Sequence, residues 1–119
     1  MTTPEKKVKE RVKKILDELG AYHFSPATGY GGRRGIPDII ACYQGVFIGI
    51  ECKAGKNKPT KLQEYELKKI EDAGGLTLVF TDSTKPEELE ELLTWIGSVN
   101  DLLGKEKKDM THWALQNIS

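Results

Sequence analysis

The sequence has little cysteine, no long apolar run and no net charge, and each shortage removes a class of protein. Cys42 and Cys52 cannot build a disulfide framework, and neither a C-x-x-C pair nor a Cys/His cluster of zinc spacing occurs. Both are expected as reduced, partly buried thiols. No stretch approaches the roughly 20 apolar residues that span a bilayer, and MTTPEKKVKE at the N-terminus lacks the apolar core of a secretion signal. The expectation is a soluble cytoplasmic protein without membrane contact. A formal charge of zero leaves no whole-molecule field to draw a polyanion.

What is present is an ordinary globular composition, 38% apolar and 30% charged over 119 residues, enough for one core and too little for two. Its charge is unevenly spread. Residues 1–16 carry six basic and two acidic side chains and residues 53–81 six and four, whereas residues 82–119 carry four and eight. One side is therefore expected to be basic, and a nucleic acid could use it.

Thr3 and Pro4 read as an N-cap and first helical residue, followed by Val8, Val12, Ile15 and Leu16 at helical spacing up to Gly20. Residues 21–24 read as a short strand. The segment SPATGYGGRRG that follows, with Pro26, Gly29, Gly31, Gly32 and Gly35, reads as a loop carrying Tyr30, Arg33 and Arg34. PDIIACY and VFIGIECK then flank Gln44 and Gly45 as the strands of a hairpin. Thr60 caps a second helix expected to reach about Ala73 with Leu62, Tyr65, Ile70 and Ala73 inward, and Gly74-Gly75 ends it. LTLVF, residues 76–80, reads as a buried strand. A last helix starts near Pro86 with Leu89, Leu92, Leu93 and Ile96 on one face, and the polar segment after Gly104 is left unassigned. The order is α, β, β, β, α, β, α.

If Gln44 and Gly45 are the two loop residues, Asp38 faces Glu51 across the hairpin, on one face with Lys53. Ile39, Ala41, Tyr43, Val46, Ile48, Ile50 and Cys52 fill the other face, and the hairpin reads as covered on both sides. The same register sends Cys42 and Cys52 to opposite faces. Two acids beside a lysine admit two readings: a surface ion pair, or oxygen ligands for Mg²⁺ or Mn²⁺.

Pro37-Asp38, a hairpin, then Glu51-Cys52-Lys53 resembles the PD-(D/E)XK nuclease superfamily, as does the element order. More narrowly, GIPDII, FIGIECKAG and a helix opening with TKLQ and closing at AGG resemble the virus-type replication-repair nuclease (VRR-NUC) domain over roughly residues 5–82. The resemblance implies an α/β restriction-endonuclease-like fold with an αβββαβ core, a mixed sheet flanked by helices. It implies a nuclease domain over residues 1–103, with residues 104–119 as an extension available for subunit contact. It makes Asp38, Glu51 and the carbonyl of Cys52 metal ligands, and gives Lys53 the task of positioning water or stabilising phosphate charge. Gln63 matches the family's glutamine beside that lysine, and the same residue is also N3 of a capping box that starts at Thr60. Glu5 matches an acidic family position that could assist the metal, with Glu10 as its rival on the same helix.

Arg33, Arg34, Lys56, Lys58 and Lys61 are the expected phosphate contacts, and Tyr30 could stack on a splayed base. His23 is read as structural, and Trp95 and Trp113 as core or subunit contacts. The implied activity is Mg²⁺- or Mn²⁺-dependent DNA endonuclease action by a homodimer on branched DNA such as four-way junctions. The alternative is a non-catalytic DNA-binding or assembly subunit that keeps the fold.

Overall fold

The computed structural model describes residues 2–27 and 33–117, with residues 100–113 as backbone alone. Helix α1 (Pro4–Leu19) begins where the Thr3 hydroxyl accepts the Lys6 N–H at 3.2 Å, and ends at Gly20, whose φ of 79° lets its N–H turn back to Leu16 and Asp17. Its stripe of Val8, Val12, Ile15 and Leu16 is buried as the spacing predicts. Strands β1 (Tyr22–Phe24), β2 (Ile39–Tyr43) and β3 (Val46–Lys53) form an antiparallel meander, and β4 (Leu76–Thr81) joins β3 in parallel. Between them runs α2 (Lys61–Asp72), and α3 (Pro86–Asn117) closes the chain. The fold is a mixed α/β sheet flanked by helices, of the restriction-endonuclease-like kind.

The hairpin turn is the expected one. Gln44 and Gly45 both have positive φ, 52° and 82°, which matches the right-handed twist of the flanking strands. Ile39 pairs with Ile50 and Cys42 with Phe47, so the register continued by one residue sets Asp38 against Glu51. Helices α1 and α3 pack on one face of the sheet, where Leu16, Ile39, Ile48, Ile50, Phe80, Leu89, Leu93 and Ile96 form the core. Each such side chain contributes about 1.5–3 kcal/mol by leaving water.

Helix α2 lies on the other face and is seated differently. A Cβ on Gly49 would lie 2.6 Å from the Ile70 Cδ1, and one on Gly75 would lie 2.7 Å from the Ile70 Cγ2, so the two glycines make the slot that Ile70 enters. The inward residues of α2 are therefore Gln63, Glu66, Leu67 and Ile70, and among them only Leu67 is buried. Leu62 and Tyr65, expected inside, are 45% and 56% exposed, and Ala73 is exposed too. The largest apolar side chains point to a different face, but a slot built from glycines selects the narrow ridge that fits it.

Strand β4 is a half-buried sheet edge with only Phe80 fully buried, because nothing pairs with its outer side among the described residues. The hairpin is covered on both sides only over Gly49 and Glu51; toward the turn Cys42 and Phe47 are exposed, since α2 does not reach that far. Cys52 is wholly buried and Cys42 exposed, so neither is the half-buried thiol expected, although they do lie on opposite faces. The segment left unassigned after Gly104 continues α3, as its lysine, glutamate, alanine and leucine content permits. Tyr30 and the side chain of Trp113 lie outside the described residues. Trp95 is 59% exposed on α3 and is not a core residue. Among the described residues no helix is long and apolar enough to cross a membrane.

Candidate active site

At the end of the hairpin away from its turn, the first turns of α1 and α2 converge on the ends of β2 and β3. Asp38 stands just before β2, and its Oδ2 accepts the backbone N–H of Cys52 at 2.8 Å, so the side chain continues the ladder that the backbone leaves off. Glu51, on β3, is 1% exposed, which makes it the one fully buried charged residue among those described. An uncompensated carboxylate at such a place costs several kcal/mol.

The partners of Glu51 account for half of that carboxylate. Its Oε1 accepts from the Gln63 Nε2 at 3.2 Å and lies 3.8 Å from the Lys53 Nζ. Its Oε2 is buried and has no hydrogen-bond donor among the described residues. The Asp38 and Glu51 carboxyls are near enough to hydrogen bond to each other, but two ionised carboxylates have only acceptors to offer, so a proton or a cation must stand between them. Burial first, and the Asp38 contact second, push Glu51 up to about 8 against the pull of Lys53. Burial also raises Asp38, but hydrogen bonding with Glu51, the Cys52 N–H and Lys9 outweighs it and holds this carboxyl below its usual value. The pair is thus biased toward holding one proton to higher pH than isolated acids would.

Gln63 completes the expected capping box and also reaches the acids. Its backbone N–H donates to the Thr60 hydroxyl at 3.2 Å and its Oε1 accepts the Thr60 N–H at 2.8 Å, completing the capping box, while its Nε2 reaches Glu51. The two ends of one amide divide the work. Lys53 is 12% exposed at its side chain and lies 3.9 Å from the Glu5 Oε1, so of the two rivals on α1 it is Glu5 that reaches the lysine. Glu10 lines a neighbouring cleft.

Lys9, not among the expected site residues, also joins the site: its Nζ is 3.2 Å from the Asp38 Oδ1. The Asp38 hydrogen bond and charge raise the Lys9 ammonium above its usual value in spite of burial. Lys9 follows Glu5 by one helical turn, and that spacing was the available signal. Burial, Asp38 and Glu51 push the Cys52 thiol up to about 12, so its sulfur stays protonated and could serve a cation only through its backbone.

The basic residues expected to meet phosphate do not gather at the acids. The Arg33 Nε donates to the Glu66 Oε1 at 3.0 Å and ties the loop to α2. Arg34, Lys56, Lys58 and Lys61 are exposed on the loops and at the start of α2. His23, which had no partner in sequence, has one in space: its Nε2 is 2.6 Å from the Asp17 Oδ1. That pair fastens β1 to α1, in keeping with a structural histidine.

Among the described residues no three His, Cys, Asp or Glu side chains are grouped to hold a metal. The donor set is two carboxylates, one with a buried oxygen that lacks a partner, and this fits a hard divalent cation that keeps several waters. The remaining ligands would be backbone, water and substrate oxygens.

A parallel strand beside a charged hairpin, with helices on both faces, places the chain in the fold class of the PD-(D/E)XK nucleases. A solved structure described as a VRR_NUC domain superposes on it with a TM-score of 0.59 at 23% identity, covering 78% of this chain and 97% of that one. The chain belongs to the archaeal Holliday junction resolvase (Hjc) family, whose profile matches residues 5–75. The matched span includes Asp38, Glu51, Lys53 and Gln63. Membership places it among DNA nucleases. No curated protein matches it.

Proposed function

We propose that the chain is an active, divalent-metal-dependent DNA endonuclease that cleaves branched DNA, four-way junctions above all, as a homodimer. The observation that carries the reading is the buried Glu51 carboxylate beside Asp38 and Lys53, whose Oε2 has no hydrogen-bond donor among the described residues. Asp38, Glu51 and the Cys52 carbonyl would hold Mg²⁺ or Mn²⁺, with Glu5 close enough to Lys53 to assist through it. When bound, the cation neutralises phosphate charge and supplies a nucleophilic water at neutral pH. Lys53 would position the attacking water or a phosphate oxygen, and Gln63 fixes the Glu51 carboxylate. Arg34, Lys56, Lys58 and Lys61 contact flanking phosphates, as does Arg33 once it leaves Glu66, and Tyr30 stacks on an opened base. The family's printed name supports the junction preference. Exposed Leu62 and Tyr65 on α2 and Val79 on β4 support pairing of two copies.

The test is cleavage of single-stranded, duplex, flap and four-way-junction DNA with Mg²⁺, with Mn²⁺ and with chelator, beside light scattering for the dimer. The expected result is metal-dependent cutting, fastest on the junction, and a loss of orders of magnitude in Lys53→Ala with its fold intact. DNA binding without cleavage in any metal would instead favour the assembly subunit. Near-normal turnover by folded Lys53→Ala would remove its assigned role.

A further inference from the structure

A cleft of about 500 Å³ runs along the outer face of α1 and ends on Asp38. Its wall is one helical stripe, Lys6, Lys9, Glu10 and Lys13, and its opposite side is formed by Ser25, Pro26 and Pro37. The charges in it sum to nothing: Lys6, Lys9 and Lys13 stand against Glu5, Glu10 and Asp38. Lys9 is held by Asp38, and Glu5 lies toward Lys53. Lys6 and Lys13 form no ion pair among the described residues.

We propose that this cleft seats the phosphate backbone of the DNA strand next to the cleaved bond, and that it does so only once a divalent cation sits at Asp38 and Glu51. The inference rests on the nuclease reading. With the acids unneutralised, a phosphate in the cleft meets as much negative as positive charge and gains nothing. A doubly charged cation at the cleft's end makes that local sum positive. It also competes with Lys9 for the Asp38 carboxylate, which frees that ammonium for phosphate. Metal and DNA then strengthen each other's binding, and the coupling is reciprocal. A chain without net charge thereby acquires a grip on a polyanion at the place where cutting occurs.

The test uses the full chain and fluorescence anisotropy of labelled four-way-junction DNA, over a range of salt, in chelator and in Ca²⁺ under conditions checked for absence of cutting. Parent protein is expected to gain about tenfold or more in affinity from Ca²⁺. Lys6→Gln with Lys13→Gln, exposed or half-buried residues outside the acid cluster, should match the parent within about twofold in chelator and lose most of that gain. Its salt slope in Ca²⁺ should be lower by up to about 2, near 0.9 for each phosphate contact removed. Glu10→Gln should act oppositely, raising affinity in chelator. If the double variant gains as much from Ca²⁺ as the parent with the same slope, the cleft carries no DNA. If the parent binds no DNA in either condition, both the cleft and the nuclease reading fall. Melting curves of all variants establish that they fold.

Discussion

Helices α1 and α2 flank the same acids and are held in opposite ways. Helix α1 buries a stripe of four apolar residues against the sheet and α3, while α2 buries Leu67 alone. What seats α2 is a glycine slot for Ile70, the Arg33 tie to Glu66, and the Gln63 amide that joins its cap to Glu51. Stability is concentrated on the α1 side. The geometry of the acids depends on the α2 side, where small steric and polar changes should cost more function than fold.

The largest effect is expected in the core. Leu16→Ala should lower unfolding free energy by about 2–5 kcal/mol, read from denaturant melts, because Leu16 is fully buried between α1 and the sheet. A loss below about 1 kcal/mol would mean that α1 is not the stabilising side. Next comes the acid pair itself. A Glu51 raised to about 8 in the folded state, above its unfolded value near 4.5, binds its proton more tightly when folded, so its contribution to stability is full below the unfolded value and is lost as pH rises through 8. In chelator the melting temperature should therefore fall between pH 6 and 8.5, and Glu51→Gln should remove most of that fall. Metal must displace the same proton, so the gain in melting temperature from Mg²⁺ or Mn²⁺ should grow over this range. A parent melt that rises with pH in chelator would show that the two acids do not share a proton.

The α2 side supplies the smaller effects. Gly49→Ala adds a methyl 2.6 Å from Ile70 and 3.1 Å from Pro37, which should cost about 1–3 kcal/mol and displace α2 with Gln63. Cleavage should drop by more than that stability loss alone would give at a temperature where the variant is folded; unchanged turnover would separate the seat of α2 from the acids. The smallest effect is in the caps, where Thr3 and Thr60 each accept one N–H at 3.2 Å. Thr3→Ala and Thr60→Ala should cost similar amounts, about 0.5–2 kcal/mol each, yet only Thr60→Ala should also slow cleavage. Equal effects on cleavage would erase the contrast between the two helices.

Short-range order along the chain is legible without the fold. Caps at Thr3 and Thr60, the apolar stripe of α1, and a two-residue turn at Gln44-Gly45 are set by neighbours a few positions apart, and the turn's register brings Asp38 to Glu51 by counting alone. Features that need distant segments to meet are legible only in the folded molecule. Which ridge of α2 faces in follows from Gly49 and Gly75, and neither lies on α2. Lys9 reaches Asp38 across a gap of 29 positions, and Arg33 is claimed by Glu66 across 33, because α1 and α2 converge on one end of the sheet. The titration of the acids is of the same kind. Spacing puts two carboxylates face to face, but only their burial under α2, with one oxygen left without a donor, makes a proton or a cation necessary there.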